Sequence, residues 1–315
     1  MNRIKTDICV IGGGSGGLSV AAGASQMGAS VVLLEGHKMG GDCLNYGCVP
    51  SKALIAAGKH AHAMTTGKPF GVKAIKPVVD YAAAKSHVAA VIKGIEPHDS
   101  VERFEGLGVN VITEYGQFIS KTEVQAGDTI IEARRFVIST GSSPFVPPIP
   151  GLDKTPYFTN EDIFDLKEQP EHLIIIGGGP IGMELAQAHV RLGSKVTVLE
   201  GMKALGRDDP EMAAIALENI RAEGVNIVEG ALASEISGKK GAITIKTKDG
   251  KIFKGSHLLM AVGRKPNVDR LNLGAAGIEP TRGGIKVDAG LKTTNKRVYA
   301  IGDVAAGLQL SLIHI

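Results

Sequence analysis

Only three of the 315 residues are cysteine, so no framework of disulfides staples this chain. A structural zinc site needs about four ligands, and no cluster of cysteine and histidine supplies them. No uninterrupted apolar run approaches the ~20 residues that span a bilayer. Basic clustering is missing too: no basic run exceeds Lys239–Lys240, and 35 Lys+Arg against 32 Asp+Glu leave a formal net charge of only +3. These features argue against a nucleic-acid groove or a membrane surface as partner. The opening MNRIKTDICVIGGG enters an apolar strand at once, without the apolar core and small-residue cleavage site of a secretory leader. A reducing cytoplasm is the expectation, and there a close cysteine pair is more often catalytic or metal-binding than structural.

What the chain has in excess is glycine, 42 residues of 315, against a usual share of about 7%. Two segments concentrate it: CVIGGGSGGLSVAAGASQMGASVVLLEG from Cys9 and LIIIGGGPIGMELAQAHVRLGSKVTVLEG from Leu173. Gly12/Gly177, Gly14/Gly179, Gly17/Gly182, Gly28/Gly193 and Glu35/Glu200 share one offset of 165 residues (177 − 12). Each segment reads as apolar strand, G-x-G-x-x-G, Ala-rich helix, glycine, apolar strand and acid. The first glycine allows the tight turn out of the strand, the second lets backbone N–H groups approach a pyrophosphate, and the third lets helix and strand pack closely. The helix start faces the phosphates with its free donors and positive dipole end. The acid accepts from ribose hydroxyls, and Glu200 would repel a 2′-phosphate, so the second site favours NADH over NADPH.

Pro-rich SSPFVPPIPG, residues 142–151, reads as an extended linker, placing the end of a first domain near residue 147. Residues 49–104 read as helices, in which His60 and His62 are solvated helix positions rather than metal ligands. ITIKTKDGKIFKG, residues 243–255, alternates around an Asp-Gly turn and predicts a hairpin. HLLMAVGRKPN then reads as a buried strand with a turn, and VYAIGD as an apolar strand stopping at Gly302 and Asp303.

Cys43 and Cys48 fall in GGDCLNYGCVPSK, residues 40–52, while Cys9 lies inside the first strand as a small buried hydrophobe. On a regular helix, residues five apart are separated by roughly 8–9 Å, beyond the limit of about 7 Å for a disulfide. A bridge therefore requires a bent loop, which Gly47 and Pro50 permit. Such a disulfide closes a very short loop and stabilises little by entropy, which fits a bridge that opens and closes better than a structural staple. Helix-terminal N–H groups would favour a thiolate there, whereas Asp42 beside Cys43 would disfavour one.

The cysteine segment lies downstream of one G-x-G-x-x-G and upstream of another, with STGSSP, AVGRKPN and YAIGDVA following in order. Taken together, residues 6–309 resemble the flavoprotein disulfide reductases, which include dihydrolipoamide dehydrogenase, glutathione reductase and mercuric reductase. The resemblance implies an α/β chain of two Rossmann-like dinucleotide-binding domains, the second inserted into the first. Residues 1–147 would bind FAD, residues 148–278 NAD(P)H, and residues 279–315 would return to the first domain. FAD would be held by Gly12, Gly14, Gly17, Glu35, Lys52, Gly116, Thr140, Gly141 and Asp303. NADH would be held by Gly177, Gly179, Gly182, Glu200 and Gly263. Cys48 would be the charge-transfer thiol against the flavin and Cys43 the interchange thiol that meets substrate. Lys52 would lie by the flavin N5, paired with Glu184. A hydride would pass from NAD(P)H through the flavin to Cys43–Cys48, and on to a small-molecule or protein-bound disulfide or to Hg²⁺.

Several phrases, MGGDCLNYGCVPSKAL and GGGPIGMELAQ among them, are most similar to the mercuric-reductase branch. Two positions depart from the pattern: Asp42 stands where threonine is common, and Pro180 replaces a tyrosine that gates the nicotinamide site in glutathione reductase. Members of the family continue into a dimer-interface domain carrying a His-Glu acid/base pair for the partner subunit. Here the sequence ends in LSLIHI, and His314 matches no family motif. The expectation is a C-terminally truncated chain of a homodimeric enzyme, its dimerisation domain absent. The alternative is a non-catalytic FAD/NAD-binding fragment.

Overall fold

A computed structural model of the chain describes residues 2–307, so His314 and the LSLIHI ending lie outside the described residues. In chain order the first elements are β1 (Asn2–Ile11), α1 (Ser15–Gln26), β2 (Val31–Leu34), α2 (Gly41–Asn45), α3 (Cys48–Ala63), α4 (Tyr81–Ile95) and α5 (Val101–Gly106). Short strands follow as β3 (Asn110–Ile112), β4 (Gly116–Phe118), β5 (Glu123–Ala126), β6 (Thr129–Ile138) and β7 (Ser142–Pro144). Next come β8 (His172–Ile176), α6 (Pro180–Arg191), β9 (Lys195–Leu199), α7 (Pro210–Ala222) and β10 (Asn226–Val228). Then β11 (Ala233–Lys239), β12 (Ala242–Thr247), β13 (Ile252–Gly255) and β14 (His257–Met260) precede β15 (Arg264–Pro266), β16 (Pro280–Thr281), β17 (Gly284–Ile285) and β18 (Val298–Ala300). No described helix is long and apolar enough to cross a membrane.

Two compact units result, and the second is inserted into the first. Residues 2–48, 92–143 and 264–307 form one; Val49–Val91 and Pro144–Gly263 form the other. Val49–Val91 groups with the second unit because its helices find their partners there. Gly58 of α3 packs on Ala188 of α6, and Lys85 of α4 donates to the Ile163 carbonyl at 2.8 Å. Residues 264–278 group with the first unit, where Leu271, Leu273, Ala276 and Ile278 join the core around Phe118 and Phe136.

The first unit is built on a seven-stranded sheet of order β3-β2-β1-β6-β5-β4. The long β6 serves two neighbours along one edge. Its first half pairs antiparallel with β5, and its last three residues pair parallel with β18. The second unit carries a parallel sheet of order β10-β9-β8-β14 and an antiparallel sheet β11-β12-β13, whose β12–β13 turn contains Asp249-Gly250. Parallel strands covered on both faces read as unbroken apolar runs. In β8, Leu173, Ile174 and Ile175 are fully buried, each worth about 1.5–3 kcal/mol of transfer free energy.

The 165-residue repeat in sequence is also a repeat in register. Ile8 pairs with Val31 as Leu173 pairs with Val196, and Val32 pairs with Asn110 as Thr197 pairs with Asn226. Each crossover helix turns the matching face inward: Gly17, Leu18 and Ala21 of α1, and Gly182, Met183 and Ala186 of α6, are buried.

Candidate functional site

At the end of β1, Gly12 has φ +110°, and a Cβ placed on it would lie 2.5 Å from the Ser139 carbonyl oxygen. Gly177, at the end of β8, has φ +113° and would meet the Ala261 carbonyl oxygen at 2.2 Å. Both turns are therefore closed to any side chain. Gly17 and Gly182 approach the carbonyls of Gly12 and Gly177 so closely that a Cβ would fall 1.9 Å and 2.1 Å from them. The middle glycines behave differently. Gly14 meets nothing nearer than the Gly41 Cα at 3.8 Å, and Gly179 meets nothing within 4 Å. Each is the N-cap of its helix, and neither α1 nor α6 has a side-chain cap or an acid in its first turn. By contrast, Ser100 caps α5 and Asp209 caps α7. Helix-start N–H groups with space before them and no acid of their own fit an anionic pyrophosphate.

The two acids close the loops in the same way. Glu35 accepts from the N–H of Gly13 and of His37, each at 2.7 Å. Glu200 accepts from Gly178 N–H at 2.7 Å and Met202 N–H at 2.8 Å. Each carboxylate thus fixes the loop that carries the fingerprint.

In the first unit the chain then folds back over the phosphate loop. Gly40 N–H donates to the Gly13 carbonyl at 2.9 Å, and Gly41, at φ +56°, lies so close that a Cβ would be 2.7 Å from the Gly14 Cα. This close approach delivers the cysteines to the loop. The short α2 stops at Asn45 and α3 starts at Cys48, so the helix is broken between the two sulfurs. Gly47 is not at positive φ, so its use is steric: a Cβ there would lie 2.7 Å from an Asp42 carboxylate oxygen. Pro50 is buried in the first turn of α3, where its missing N–H costs no helix bond.

Cys43 and Cys48 are half-buried thiols hydrogen-bonded to one another. The bond to Cys48 pushes the Cys43 thiol up from its ordinary value, and burial adds to this. The Ser15 hydroxyl and the Cys48 backbone N–H donate to the Cys43 sulfur and pull the other way without prevailing. Cys48 is the first residue of a 16-residue helix, where the helix-start N–H groups favour a negative charge. Cys9 is fully buried, and burial alone pushes its thiol far up.

Asp42 is not the unscreened negative neighbour that its position in sequence suggests. One carboxylate oxygen lies 2.9 Å from Nη2 of Arg264, a side chain only 11% exposed. Arg264 also donates from Nε to the Ser142 hydroxyl at 2.6 Å and from Nη2 to the Ser142 carbonyl at 2.7 Å. The Ser142 hydroxyl in turn donates to Asp303 at 2.7 Å. Asp42 and Asp303, 261 residues apart in the chain (303 − 42), thus share one guanidinium, with Asp303 3.7 Å from its Nε. Sequence reasoning passed over Ser15, Ser142 and Arg264, although STGSSP and AVGRKPN contain two of them.

The remaining candidates divide between the units. Lys52, four residues into the helix from Cys48, has its Nζ 2.7 Å from Oε2 of Glu184, in a pair about one-third exposed. In the first unit the Thr140 hydroxyl donates to the Asn267 carbonyl at 2.7 Å, and Gly141, at φ +64°, accepts from Asn267 N–H. Gly116 is a buried strand residue whose Cβ would meet Leu34 at 2.6 Å, so packing alone accounts for that glycine. In the second unit Gly263 has φ +127° with open space beside it. His60 is exposed and His62 lies 4.0 Å from Glu223. Among the described residues no group of three or more His, Cys, Asp or Glu side chains is arranged to hold a metal ion.

Comparison with known proteins follows the same lines. The family model described as pyridine nucleotide-disulphide oxidoreductase matches residues 6–314. Mercuric reductase of Bacillus cereus is 36% identical over 310 residues, covering 96% of this chain and 49% of the relative. Dihydrolipoyl dehydrogenase of Geobacillus stearothermophilus is 33% identical, covering 98% of this chain and 67% of the relative. Among solved structures, the HOCl-induced flavoprotein disulfide reductase RclA from Escherichia coli, in its Cu(II) complex, superposes with a TM-score of 0.85 at 30% identity, over 96% of this chain and 67% of that one. The chain spans about half the length of the mercuric reductases it matches.

Proposed function

This chain belongs to the pyridine nucleotide-disulphide oxidoreductase family, and on that premise we propose that it moves two electrons from NADH, by way of FAD, to a Cys43–Cys48 disulfide. The observation that carries this reading is the hydrogen-bonded thiol pair set against the first phosphate loop, with Ser15 of α1 donating to Cys43. FAD would be held in the first unit by Gly12, Gly14, Gly17 and Glu35, with Gly116, Thr140, Gly141 and Asp303 further along. NADH would be held in the second unit by Gly177, Gly179, Gly182, Glu200 and Gly263. When bound, FAD supplies the two-electron relay between nicotinamide and disulfide.

The chain's own residues then divide the proton work. Each round consumes NADH and the disulfide and yields NAD⁺, one thiol and one thiolate, a further proton being taken up only when that thiolate is protonated. We assign the remaining proton of the reduced pair to Cys43 and its negative charge to Cys48, where the start of α3 favours a thiolate. Lys52, held by Glu184, would add a cation at the flavin. The dithiol then reduces its acceptor by thiol–disulfide exchange, or passes two electrons to Hg²⁺. We assign a small-molecule or protein-bound disulfide or Hg²⁺ as acceptor, and a cytoplasmic homodimer as the working form of the whole protein.

The test counts thiols. With FAD bound and oxygen excluded, one equivalent of NADH should expose two alkylatable thiols per chain, at Cys43 and Cys48. Cys43→Ser and Cys48→Ser should each abolish the gain while retaining FAD. Retention of both nucleotides with no gain of thiols in the wild type would reduce the reading to nucleotide binding without turnover.

A further inference from the structure

Where members of this family commonly carry threonine, this chain places a carboxylate against the loop that joins its two sulfurs. One oxygen of Asp42 is 2.9 Å from Arg264 Nη2. The other occupies the position that a Cβ of Gly47, next to Cys48, would need. Asp42 is thus tied at one end to a guanidinium held by Ser142 and Asp303, and at the other it lies against Gly47, in the segment that joins the two sulfurs. Its negative charge opposes a thiolate on the neighbouring pair, and the guanidinium offsets that charge.

We propose that the Asp42–Arg264 ion pair sets the dithiol–disulfide balance of Cys43/Cys48, with Asp42 as a positioning residue whose charge is balanced by Arg264. The inference rests on the dithiol reading given above. Only the reduced pair carries a thiolate, so a charge beside it changes the reduced form and leaves the disulfide untouched. Removing the Asp42 charge leaves the arginine positive and favours the dithiol. Removing the Arg264 charge leaves the aspartate negative and favours the disulfide. The two changes act in opposite directions, whereas a purely structural pair would respond to either loss in the same direction.

The measurement is made on the full chain with FAD bound, held at pH 7 without oxygen in glutathione buffers of graded ratio. Two protein thiols and one glutathione disulfide become one Cys43–Cys48 disulfide and two glutathione thiols, through a mixed disulfide on one protein sulfur. Thiols are trapped by alkylation and the Cys43–Lys52 region is weighed by mass spectrometry. Asp42→Asn and Asp42→Thr should each shift the equilibrium about fivefold toward the dithiol, equivalent to about 20 mV for a two-electron couple. Arg264→Gln should shift it a similar factor toward the disulfide, and Arg264→Lys should return it most of the way. The Asp42 variants leave the Arg264–Ser142 bonds in place, so they decide the matter even if Arg264→Gln fails to fold. An unchanged equilibrium in both Asp42 variants, or a shift toward the disulfide, overturns the proposal. If the wild type forms no Cys43–Cys48 disulfide in the most oxidising buffer, the dithiol reading itself falls.

Discussion

The two phosphate loops of this chain have the same backbone but lead to different chemistry, and the point where they diverge can be located to one residue. Up to that point the match extends beyond the fingerprint. Gly40 N–H donates to the Gly13 carbonyl, and Leu205 N–H donates to the Gly178 carbonyl at 2.8 Å, again 165 residues apart (205 − 40). Gly40 sits at φ +81°; Leu205, a residue that pays a steric penalty there, sits at φ +50°. Two residues further, Asp42 and Cys43 stand where the second repeat has Arg207 and Asp208. The first copy turns at once into α2 and the dithiol, while the second runs on to Asp209, which caps α7 by accepting from Glu211 and Met212 N–H. A shared scaffold thus fixes where the returning chain meets the loop, and three or four residues decide whether it brings a cysteine pair or a new helix.

The largest expected effect tests the shared part. Gly12→Ala and Gly177→Ala each force a Cβ onto a carbonyl oxygen at positive φ, and each should cost at least about 3 kcal/mol of stability by thermal or urea unfolding. Short of unfolding, Gly12→Ala should lose FAD and Gly177→Ala should lose NADH by calorimetry. Loss of both nucleotides in either variant would break the assignment of one nucleotide per repeat.

An acid test should separate the copies next. His189 on α6 is fully buried, with Nδ1 2.7 Å from the Leu185 carbonyl and Nε2 3.1 Å from the Tyr81 hydroxyl. Burial, together with the nearby Lys85 and His257, lowers its pKa from 6.5 to about 4. The unfolded chain therefore takes up a proton between about pH 6.5 and 4 that the native chain refuses, so this contribution to stability is complete above 6.5 and lost on acidification. The loss is of order 3 kcal/mol at pH 4. The equivalent position in α1 is Ala24, so amide protection, referred to the intrinsic exchange rate at each pH, should fall in α6 between pH 7 and 5 and not in α1. His189→Gln should flatten the dependence; an unchanged slope would remove His189 as its source.

Much of this was legible in the sequence because the constraints are local and repeated. Glycine spacing, strand–helix–strand order and the closing acids follow from a turn and a packing contact that no other residue type satisfies, and the register of both sheets obeys them. The cysteine segment was legible through its resemblance to a known motif. Gly47 was expected to bend the loop by its freedom of backbone, yet its role is to leave room for Asp42. The Asp42–Arg264 contact joins residues 222 apart, and no periodicity carries such a pairing. The left-handed Leu205 becomes intelligible only by superposing one repeat on the other.

Exchanging that residue pair gives a smaller, asymmetric effect. In Gly40→Leu the new Cβ would fall 2.4 Å from Leu44 Cδ2, because α2 begins immediately after the turn. We expect a loss of about 2 kcal/mol and weaker FAD binding. Leu205→Gly relieves the left-handed strain and gives up a half-buried side chain, so its stability should stay within about 1 kcal/mol of wild type.

The finest test concerns the two acids. Glu35 and Glu200 each accept two backbone N–H groups from their own loops before any ribose arrives. Glutamine keeps one acceptor oxygen and replaces the other with a donor, which then faces an N–H. A charge-assisted bond is replaced by a neutral one, with a difference of roughly 1–2 kcal/mol. If the carboxylates act mainly through the loop, Glu35→Gln and Glu200→Gln should lower thermal stability without ligand by similar amounts, since the bonds are matched. If they also read the ribose, Glu35→Gln should weaken FAD alone and Glu200→Gln should weaken NADH alone, each about tenfold. Glu200→Gln should in addition narrow the preference for NADH over NADPH, because the repulsion of a 2′-phosphate leaves with the charge. A preference that survives Glu200→Gln unchanged would place cofactor discrimination elsewhere, with Lys203 and Arg207 of the same loop the nearest charges in sequence.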